Sequence, residues 1–142
     1  MTPQRVTMIT LSVLNIAVSR EFYLKLGWQE AKGGNDKIAF FKLRGLYLSL
    51  YSRDALTSDI GMPIATRTTG AITLATNYES PDAVDAAYDT ALKAGAIDVT
   101  KPAKTDWGGY SGMIADPDGH LWEYAHNPFW SFDDDGYLTG NA

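Results

Sequence analysis

The feature that most constrains the fold is a pattern of elements that occurs twice. In the first half, the alternating residues 6–13 predict a strand, and a helical stretch follows and ends at Gly27. In the second half, residues 70–76 predict a strand, and the next helix ends at Gly95. The tripeptide Ile-Thr-Leu occurs at 9–11 and again at 72–74. We therefore expect two similar modules, each with the order strand, helix, strand, strand, strand.

Each predicted helix has its own start signal. Ser19 is the expected N-cap of the first helix, in which Phe22 and Tyr23 lie at helical spacing. Ser80 is the expected N-cap of the second, and Pro81 follows at the first helical position. A side-chain oxygen at the cap accepts a backbone N–H that the helix leaves unpaired, so these signals favour helices beginning there.

Turn residues separate the remaining strands. Glycine, asparagine and aspartate residues divide them, as is typical of short antiparallel strands. The predicted strands cover 28–31, 37–43 and 46–51 in the first module and 97–100, 110–115 and 121–126 in the second. Between the modules, residues 52–69 show no sustained period, so we interpret this segment as a long connection that could fold over the binding surface.

Composition excludes several classes of function. The chain has 142 residues, of which 45% are hydrophobic and 20% charged, as in a globular protein with a sizeable core. Its net charge of -5 argues against a nucleic-acid partner, and no segment is long and apolar enough for a membrane span. It contains no cysteine, which excludes disulfides and thiolate ligands. We expect a cytoplasmic protein without nucleic-acid or membrane partners.

The most specific motif is the segment 107–128, WGGYSGMIADPDGHLWEYAHNP. It predicts a strand, a tight Asp-Pro-Asp-Gly turn and a second strand that carries the carboxylate of Glu123 among aromatic residues. Together with ITLSV and SREFYLKLGW near the N-terminus, it resembles the vicinal oxygen chelate superfamily, the group of glyoxalases, bleomycin resistance proteins and ring-cleaving dioxygenases. The resemblance covers nearly the whole chain.

The resemblance implies an α+β fold. Two βαβββ modules in one domain, residues 1–142, would form curled mixed sheets around a shared cleft. Module one would cover about 6–51, the linker about 52–69, module two about 70–128, and an aromatic and acidic tail 129–142. Family members of this size commonly pair, so the resemblance also implies a homodimer.

Enzymes of this superfamily hold a divalent metal with side chains from the first and last strand of each module. By motif, these four positions fall on Met8, Ser49, Ala71 and Glu123. A catalytic metal site needs about three ligands from His, Asp, Glu or Cys, and only one of the four residues is of that kind. We therefore expect no metal ligands and no cofactor, although a divalent metal bound through other residues stays an alternative.

The two histidines do not restore a metal site in this pattern. His120 and His126 lie three residues before and after Glu123. Because successive residues of a strand point to opposite faces, both rings are expected on the face opposite Glu123.

The same resemblance indicates which residues line the cleft. Small, hydroxyl-bearing and aromatic residues on its strands would form a pocket for a neutral or weakly polar organic molecule. The candidate ligand-binding residues are Met8, Thr10, Tyr47, Ser49, Tyr51, Ala71, Thr73, Trp107, Tyr110 and Glu123.

Two functions fit these residues. The first is a small-molecule-binding protein similar to the bleomycin-resistance-like binders, with Glu123 as polar anchor and without the usual metal. The second is a lyase or dioxygenase of the same superfamily. It would use either metal ligands not identified here or Glu123 as a general base, with Tyr47, Tyr51 or Tyr110 donating to the oxyanion. The sequence does not identify the ligand or any reaction.

The tail combines aromatic and acidic residues. Phe129, Trp130 and Phe132 are expected to dock on the same chain or on a second subunit, because three large rings are unfavourable in water. We interpret the aspartates at 133–135 as a solvated turn.

Overall fold

The computed structural model describes residues 2–64 and 69–140. The chain forms two compact units, Met1–Arg67 and Thr68–Ala142, which are described separately below. Residues 65–68 of the predicted linker and the last two residues of the tail lie outside the described residues. The assignment of the whole chain to one domain stays a prediction.

Module one has the predicted order of elements. Its helix and strands are β1 Met8–Val13, α1 Ile16–Lys25, β2 Glu30–Ala31, β3 Ile38–Leu43 and β4 Leu46–Ser52. The strands form one sheet in the order β1-β4-β3-β2, in which β1 is parallel to β4 and the other pairs are antiparallel. A mixed sheet of this kind confirms the α+β class expected from the sequence.

One face of this sheet packs on α1. Phe22 and Tyr23 of α1 are buried, and the Tyr23 ring lies 5.8 Å from that of Phe41 on β3. Phe41 pairs with Leu48 of β4, which places Leu48 and Leu50 on the same face. These apolar side chains form the core of the module. We call the opposite face of the sheet the far face of module one.

The first helix begins earlier than predicted. Asn15 is the N-cap, and its Oδ1 accepts hydrogen bonds from the backbone N–H groups of Ala17 and Val18 at 3.0 and 3.3 Å. The prediction of Ser19 as the cap is wrong. Ser19 lies within the helix on its buried stripe, at i−3 relative to Phe22.

The segment 52–69 contains a second helix that periodicity did not reveal. This helix, α2, covers Arg53–Ile60 and contacts β4 and β1. Ser52 caps its start, since its Oγ accepts from the N–H of Ala55, and Gly61 ends it with a left-handed φ of 69°. No residue of α2 is buried, so the apolar stripe from which a helix is predicted is missing.

Module two repeats the order of module one. Its elements are β5 Thr73–Asn77, α3 Pro81–Ala94, β6 Ile97–Lys104, β7 Tyr110–Ala115 and β8 Leu121–His126. The sheet order is β5-β8-β7-β6, with β5 parallel to β8 and the other pairs antiparallel. The predicted strand at 70–76 is shifted, because residues up to Ala71 belong to a turn.

The predicted cap of the second helix is confirmed. Ser80 Oγ accepts from the N–H of Ala83 at 3.1 Å, and Gly95 ends α3 with a φ of 108°. Val84, Tyr88 and Ala91 recur at i, i+4 and i+7 and are buried against the sheet. We call the sheet face opposite α3 the far face of module two.

The strand β6 forms one edge of the second sheet. Its register against β7 shifts twice, between Asp98 and Thr100 and between Thr100 and Ala103. Pro102 lies within the second shift, and its ring is so close to Gly112 of β7 that a Cβ at Gly112 would stand 2.7 Å from it. Glycine at this position therefore allows the proline ring to lie on the neighbouring strand.

Two turns of the second unit have the same construction. In the turn between β7 and β8, Asp116 Oδ1 accepts from the N–H groups of Asp118 and His120 at 3.0 and 2.9 Å. In the tail, Asp133 Oδ1 accepts from Asp135 and Tyr137 at 3.0 and 2.9 Å. Asp116 is fully buried, whereas the second turn is solvated as predicted.

The tail forms a small hairpin of β9 Ser131–Phe132 and β10 Leu138–Gly140. Before it, Phe129 and Trp130 are 64% and 39% exposed. The Phe129 ring contacts the backbone at Gly108, where an added Cβ would lie 3.0 Å from the ring. The expected docking of the tail aromatics is thus partial within the described chain. None of the described helices is long and apolar enough to cross a membrane.

Candidate functional site

Glu123 projects from the far face of module two. Its neighbours in β8, Trp122 and Tyr124, are buried on the α3 side, and successive residues of a strand alternate between faces. The pairing supports this: Glu123 is opposite Met113 of β7 and Ala75 of β5. The aromatic residues of the strand therefore belong to the core, while the carboxylate lies on the other face and is half-buried.

The Glu123 carboxylate has no hydrogen bond or ion pair with any residue in 2–64 or 69–140. A half-buried carboxylate is costly unless a hydrogen-bond donor, a cation or water offsets its charge. Such a group on a sheet face is a candidate functional residue rather than a structural one.

The far face of module one carries a hydroxyl pair. Thr10 of β1 and Ser49 of β4 are paired residues, and their Oγ atoms lie 2.6 Å apart in a hydrogen bond. Met8 and Tyr47, each two residues earlier on its strand, form the next pair on the same face. Ser49 is fully buried, whereas Met8 and Tyr47 are 44% and 36% exposed. The structure thus brings together four of the predicted ligand-binding residues.

Tyr51, near the end of β4, forms a hydrogen bond with α2. Its hydroxyl donates to Asp59 Oδ2 at 2.6 Å, and this hydrogen bond to a carboxylate, followed by desolvation, raises the pKa of Tyr51. Tyr51 shares the far face with Tyr47 and Ser49, so α2 packs on this side of β4. The Tyr51 hydroxyl therefore has a structural partner already.

We expect Tyr51→Phe to loosen α2. The helix buries no side chain, so loss of this hydrogen bond removes a principal attachment to β4, and amide hydrogen exchange in Arg53–Ile60 should become severalfold faster. Hydrogen exchange read by mass spectrometry measures this segment separately from α1 and α3. The matched control is Tyr47→Phe, on the same strand face. Equal exchange of α2 in both variants would contradict the assignment.

Tyr110 lies on the helix side of the second sheet. Its hydroxyl donates to Asp85 Oδ1 on α3 at 2.7 Å, and this hydrogen bond, followed by desolvation, raises the pKa of Tyr110. Tyr110 lies on the same face of β7 as Gly112 and Ile114, which pair with the buried aromatic residues of β8. Tyr110 and Glu123 therefore lie on opposite faces, and this pairing leaves Tyr110 as an anchor between α3 and β7.

Trp107 lies in the turn between β6 and β7 and is 48% exposed. Its indole ring lies against the backbone of Gly109, where a Cβ would be only 1.9 Å from the ring. Gly108 is similarly covered by Phe129. The paired glycines of this turn thus allow close approach of two aromatic rings of the same unit.

The four positions that the family uses for metal ligands do not fit a metal site. Ala71 offers no donor and lies in a turn before β5, Met8 offers a thioether, and the Ser49 hydroxyl is hydrogen-bonded to Thr10. No group of three or more His, Asp or Glu side chains that could hold a metal ion occurs in the described part of the chain. One carboxylate, from Glu123, falls short of the about three ligands of a catalytic site.

His126 lies as the alternation predicts. It pairs with Tyr110 on the helix side, and its Nδ1 is 2.9 Å from the carbonyl oxygen of Tyr78. The His126 ring therefore does not share the far face with Glu123 and adds no ligand to it. His120 belongs to the turn that Asp116 holds, before the first residue of β8.

Sequence reasoning missed two neighbours of Glu123. Met113 is directly opposite it, and Ser111 is two residues along β7 on the same face. Their period-two spacing within 110–115 was available in the sequence, but the pairing that brings them beside Glu123 depends on the register of the hairpin. Thr73, a candidate from the sequence, and Ala75 lie on this face as well.

Comparison with known proteins places the chain among related structures. The family model described as Glyoxalase/Bleomycin resistance protein/Dioxygenase superfamily matches residues 5–124. A glyoxalase-related enzyme from Fulvimarina pelagi is 32% identical and has a TM-score of 0.91, over 99% of this chain and 100% of that chain. No match was found among curated protein sequences.

Two more distant structures share the fold. A glyoxalase/bleomycin resistance protein/dioxygenase from Nocardioides is 24% identical, with a TM-score of 0.75 over 89% of this chain and 85% of that chain. A lactoylglutathione lyase from Agrobacterium tumefaciens is 21% identical, with a TM-score of 0.67 over 93% of this chain and 100% of that chain.

Proposed function

Because the chain belongs to the glyoxalase/bleomycin resistance protein/dioxygenase superfamily, we propose that it binds a small organic molecule without the family's divalent metal. The ligand would contact the far face of module two, with Glu123 as the polar anchor. Such a protein binds its ligand reversibly and is indifferent to chelators.

The observation that carries this proposal is the state of Glu123. Of the four family positions, only this one holds a residue of the kind that binds catalytic metals. Its carboxylate has no hydrogen-bond or ion-pair partner within the described residues. A single carboxylate is too few for a divalent metal site but is enough to orient a small molecule in an otherwise apolar or hydroxyl-lined surface.

The residues of module one support the same proposal. The far face offers the hydroxyl of exposed Thr10, which is held by buried Ser49, and the exposed ring of Tyr47, and these suit hydrogen bonding and stacking with an organic molecule. We retain Met8 and Tyr51 as proposed contacts on module one, and Ala71, Thr73 and Trp107 as proposed contacts on module two. Tyr110 stays a proposed contact only through its ring, since its hydroxyl donates its hydrogen bond to Asp85.

A second candidate is metal-free proton transfer. It is favoured by the same carboxylate, which has no partner within the described residues, and by the 32% identical relative being a glyoxalase-related enzyme. Glu123 would accept a proton from the substrate, and a tyrosine hydroxyl would donate to the oxygen on which charge develops. Of the three tyrosines considered, Tyr51 and Tyr110 already donate to aspartates, whereas the Tyr47 hydroxyl donates to no residue in 2–64 or 69–140.

The proposal includes a homodimer and a cytoplasmic location. The family resemblance and the exposed rings of Phe129 and Trp130 support pairing of two chains. The acidic, cysteine-free composition supports the location.

Thermal-shift titration tests the metal-free part of this proposal. Chelator-treated wild type, Glu123→Ala and the surface control Asp89→Ala are titrated with Ni, Zn, Mn and Fe(II). A metal at a hundred times its Kd would stabilise the fold by about 2.7 kcal/mol, which raises the Tm by several degrees. We expect no shift that depends on Glu123. A metal-induced shift in wild type and Asp89→Ala that disappears in Glu123→Ala would refute the proposal.

The binding part is tested with the same assay against a library of organic molecules. A concentration-dependent rise in Tm identifies a ligand, and mass spectrometry of the recovered ligand then separates the two candidate functions. Unchanged ligand after prolonged incubation supports the binder, whereas a product formed by wild type but not by Glu123→Ala supports the proton-transfer enzyme.

A further inference from the structure

The surroundings of Glu123 limit which molecules its carboxylate can receive. Along β5, β7, β8 and β6, the register assigns a definite set of residues to the far face of module two. They are Thr73, Ala75, Asn77, Ser111, Met113, Ala115, Leu121, Glu123, Ala125, Ile97, Thr100 and Ala103.

None of these paired far-face residues in the described part of the chain is Lys, Arg or His. Glu123 is their only ionisable side chain, so no cation among these paired residues offsets its charge. An opposite charge is the strongest partner for a half-buried carboxylate, because charge-assisted hydrogen bonds are roughly twice as strong as neutral ones. The chain's net charge of -5 also attracts cations and repels anions from solution.

The neighbours of the carboxylate provide apolar contacts and space. Ala75 bears only a methyl group and is exposed, so little side-chain volume stands beside Glu123 along β5, whereas Ala125 along β8 is buried. Met113, directly opposite, has a flexible and polarisable thioether that packs well against aromatic rings. Leu121 adds a second apolar contact two residues before Glu123. This combination suits a flat apolar body that carries a positive charge.

From these neighbours we infer that the far face of module two is a site for an organic cation with an aromatic body, whose N–H groups donate to the Glu123 carboxylate. The inference rests on the proposed binding function and names its ligand class. An organic cation differs from a metal ion in needing one carboxylate rather than three, since its charge is spread and its remaining contacts are apolar.

A pair of dyes tests the inference. Proflavine is a flat aromatic cation at neutral pH, and acridine has the same ring system without the charge at that pH. Binding of each dye is measured by fluorescence titration at low ionic strength against wild type, Glu123→Gln and the charge-matched control Asp89→Asn. Asp89 is exposed on the outer side of α3.

We expect proflavine to bind wild type and Asp89→Asn alike and to bind Glu123→Gln at least about tenfold more weakly, as loss of a charge-assisted contact implies. Acridine should bind all three proteins weakly and equally. Added NaCl should weaken proflavine binding to wild type more than to Glu123→Gln, because screening acts on the charge pair. Circular dichroism of Glu123→Gln verifies that it is folded.

The outcomes separate the two proposals. If acridine binds wild type as tightly as proflavine, or Glu123→Gln retains full proflavine affinity, the cation assignment is overturned while small-molecule binding stands. If neither dye binds wild type, the cation assignment is overturned, and the proposed function is judged by the library assay alone.

Discussion

Replacing Asp116 with Ala will lower the free energy of unfolding by about 2–4 kcal/mol, because two backbone N–H groups lose a charged acceptor in a buried turn. Asp116 is fully buried, and its Oδ1 accepts from Asp118 and His120. The backbone of Asp116 is bonded to His120 as well, so the turn closes the hairpin from which Glu123 projects. Urea unfolding followed by circular dichroism measures the change.

The chain contains a matched control for this substitution. Asp133 accepts from Asp135 and Tyr137 with the same spacing and nearly the same distances, but in a solvated turn. Water can replace its carboxylate, so Asp133→Ala should cost less than about 1 kcal/mol. Asp116→Asn, which keeps an acceptor oxygen, should fall between the two. Equal losses for Asp116→Ala and Asp133→Ala would show that burial does not determine the effect.

Phe41→Ala will strongly destabilise module one, with an expected loss of about 3–5 kcal/mol. The ring is only 1% exposed and lies 5.8 Å from the ring of Tyr23 and 5.9 Å from that of Trp28. Removing it leaves a cavity between α1 and the sheet that these neighbours cannot fill without leaving their rotamers. Urea unfolding and the near-ultraviolet circular dichroism of the aromatic cluster report the loss.

Two further variants control for size and position. Phe41→Leu keeps most of the apolar volume and should cost less than half as much as Phe41→Ala. Phe129→Ala removes an equally large ring that is 64% exposed and should change the stability by about 0.5 kcal/mol or less. A Phe41→Ala protein as stable as Phe129→Ala would mean that the α1 side of the sheet is not the core.

The strands of the candidate site were predictable because half-buried strands alternate. The alternation in 121–126 predicted that Glu123 and His126 lie on opposite faces, and the structure confirms this. The N-cap at Ser80 was predictable for a similar reason, since the cap acts on backbone groups three residues away. Local chemistry determined both outcomes.

Features that depend on long-range packing were not predictable. The helix α2 has no apolar stripe, and its attachment through Tyr51 and Asp59 requires a loop geometry that the sequence does not display. The sequence gives no sign that Tyr110 and Tyr51 differ in role. Tyr110 lies on the helix side of its sheet and donates to Asp85 of α3, whereas Tyr51 lies on the far face of its sheet and donates to Asp59 of α2. Asn15 and Ser19 are both good capping residues, and only packing of Phe22 against the sheet decides between them.

The edge strand β6 bears on how two copies of this chain can associate. An exposed edge normally invites another strand to extend the sheet through free N–H and C=O groups. In β6, Pro102 has no N–H to donate, and the two register shifts bend the strand around it. A continuous sheet formed across two β6 strands would therefore be interrupted in its middle. A homodimer that uses this edge would form by packing of side-chain surfaces instead, to which exposed Ile97 and Val99 can contribute apolar contacts without strand exchange.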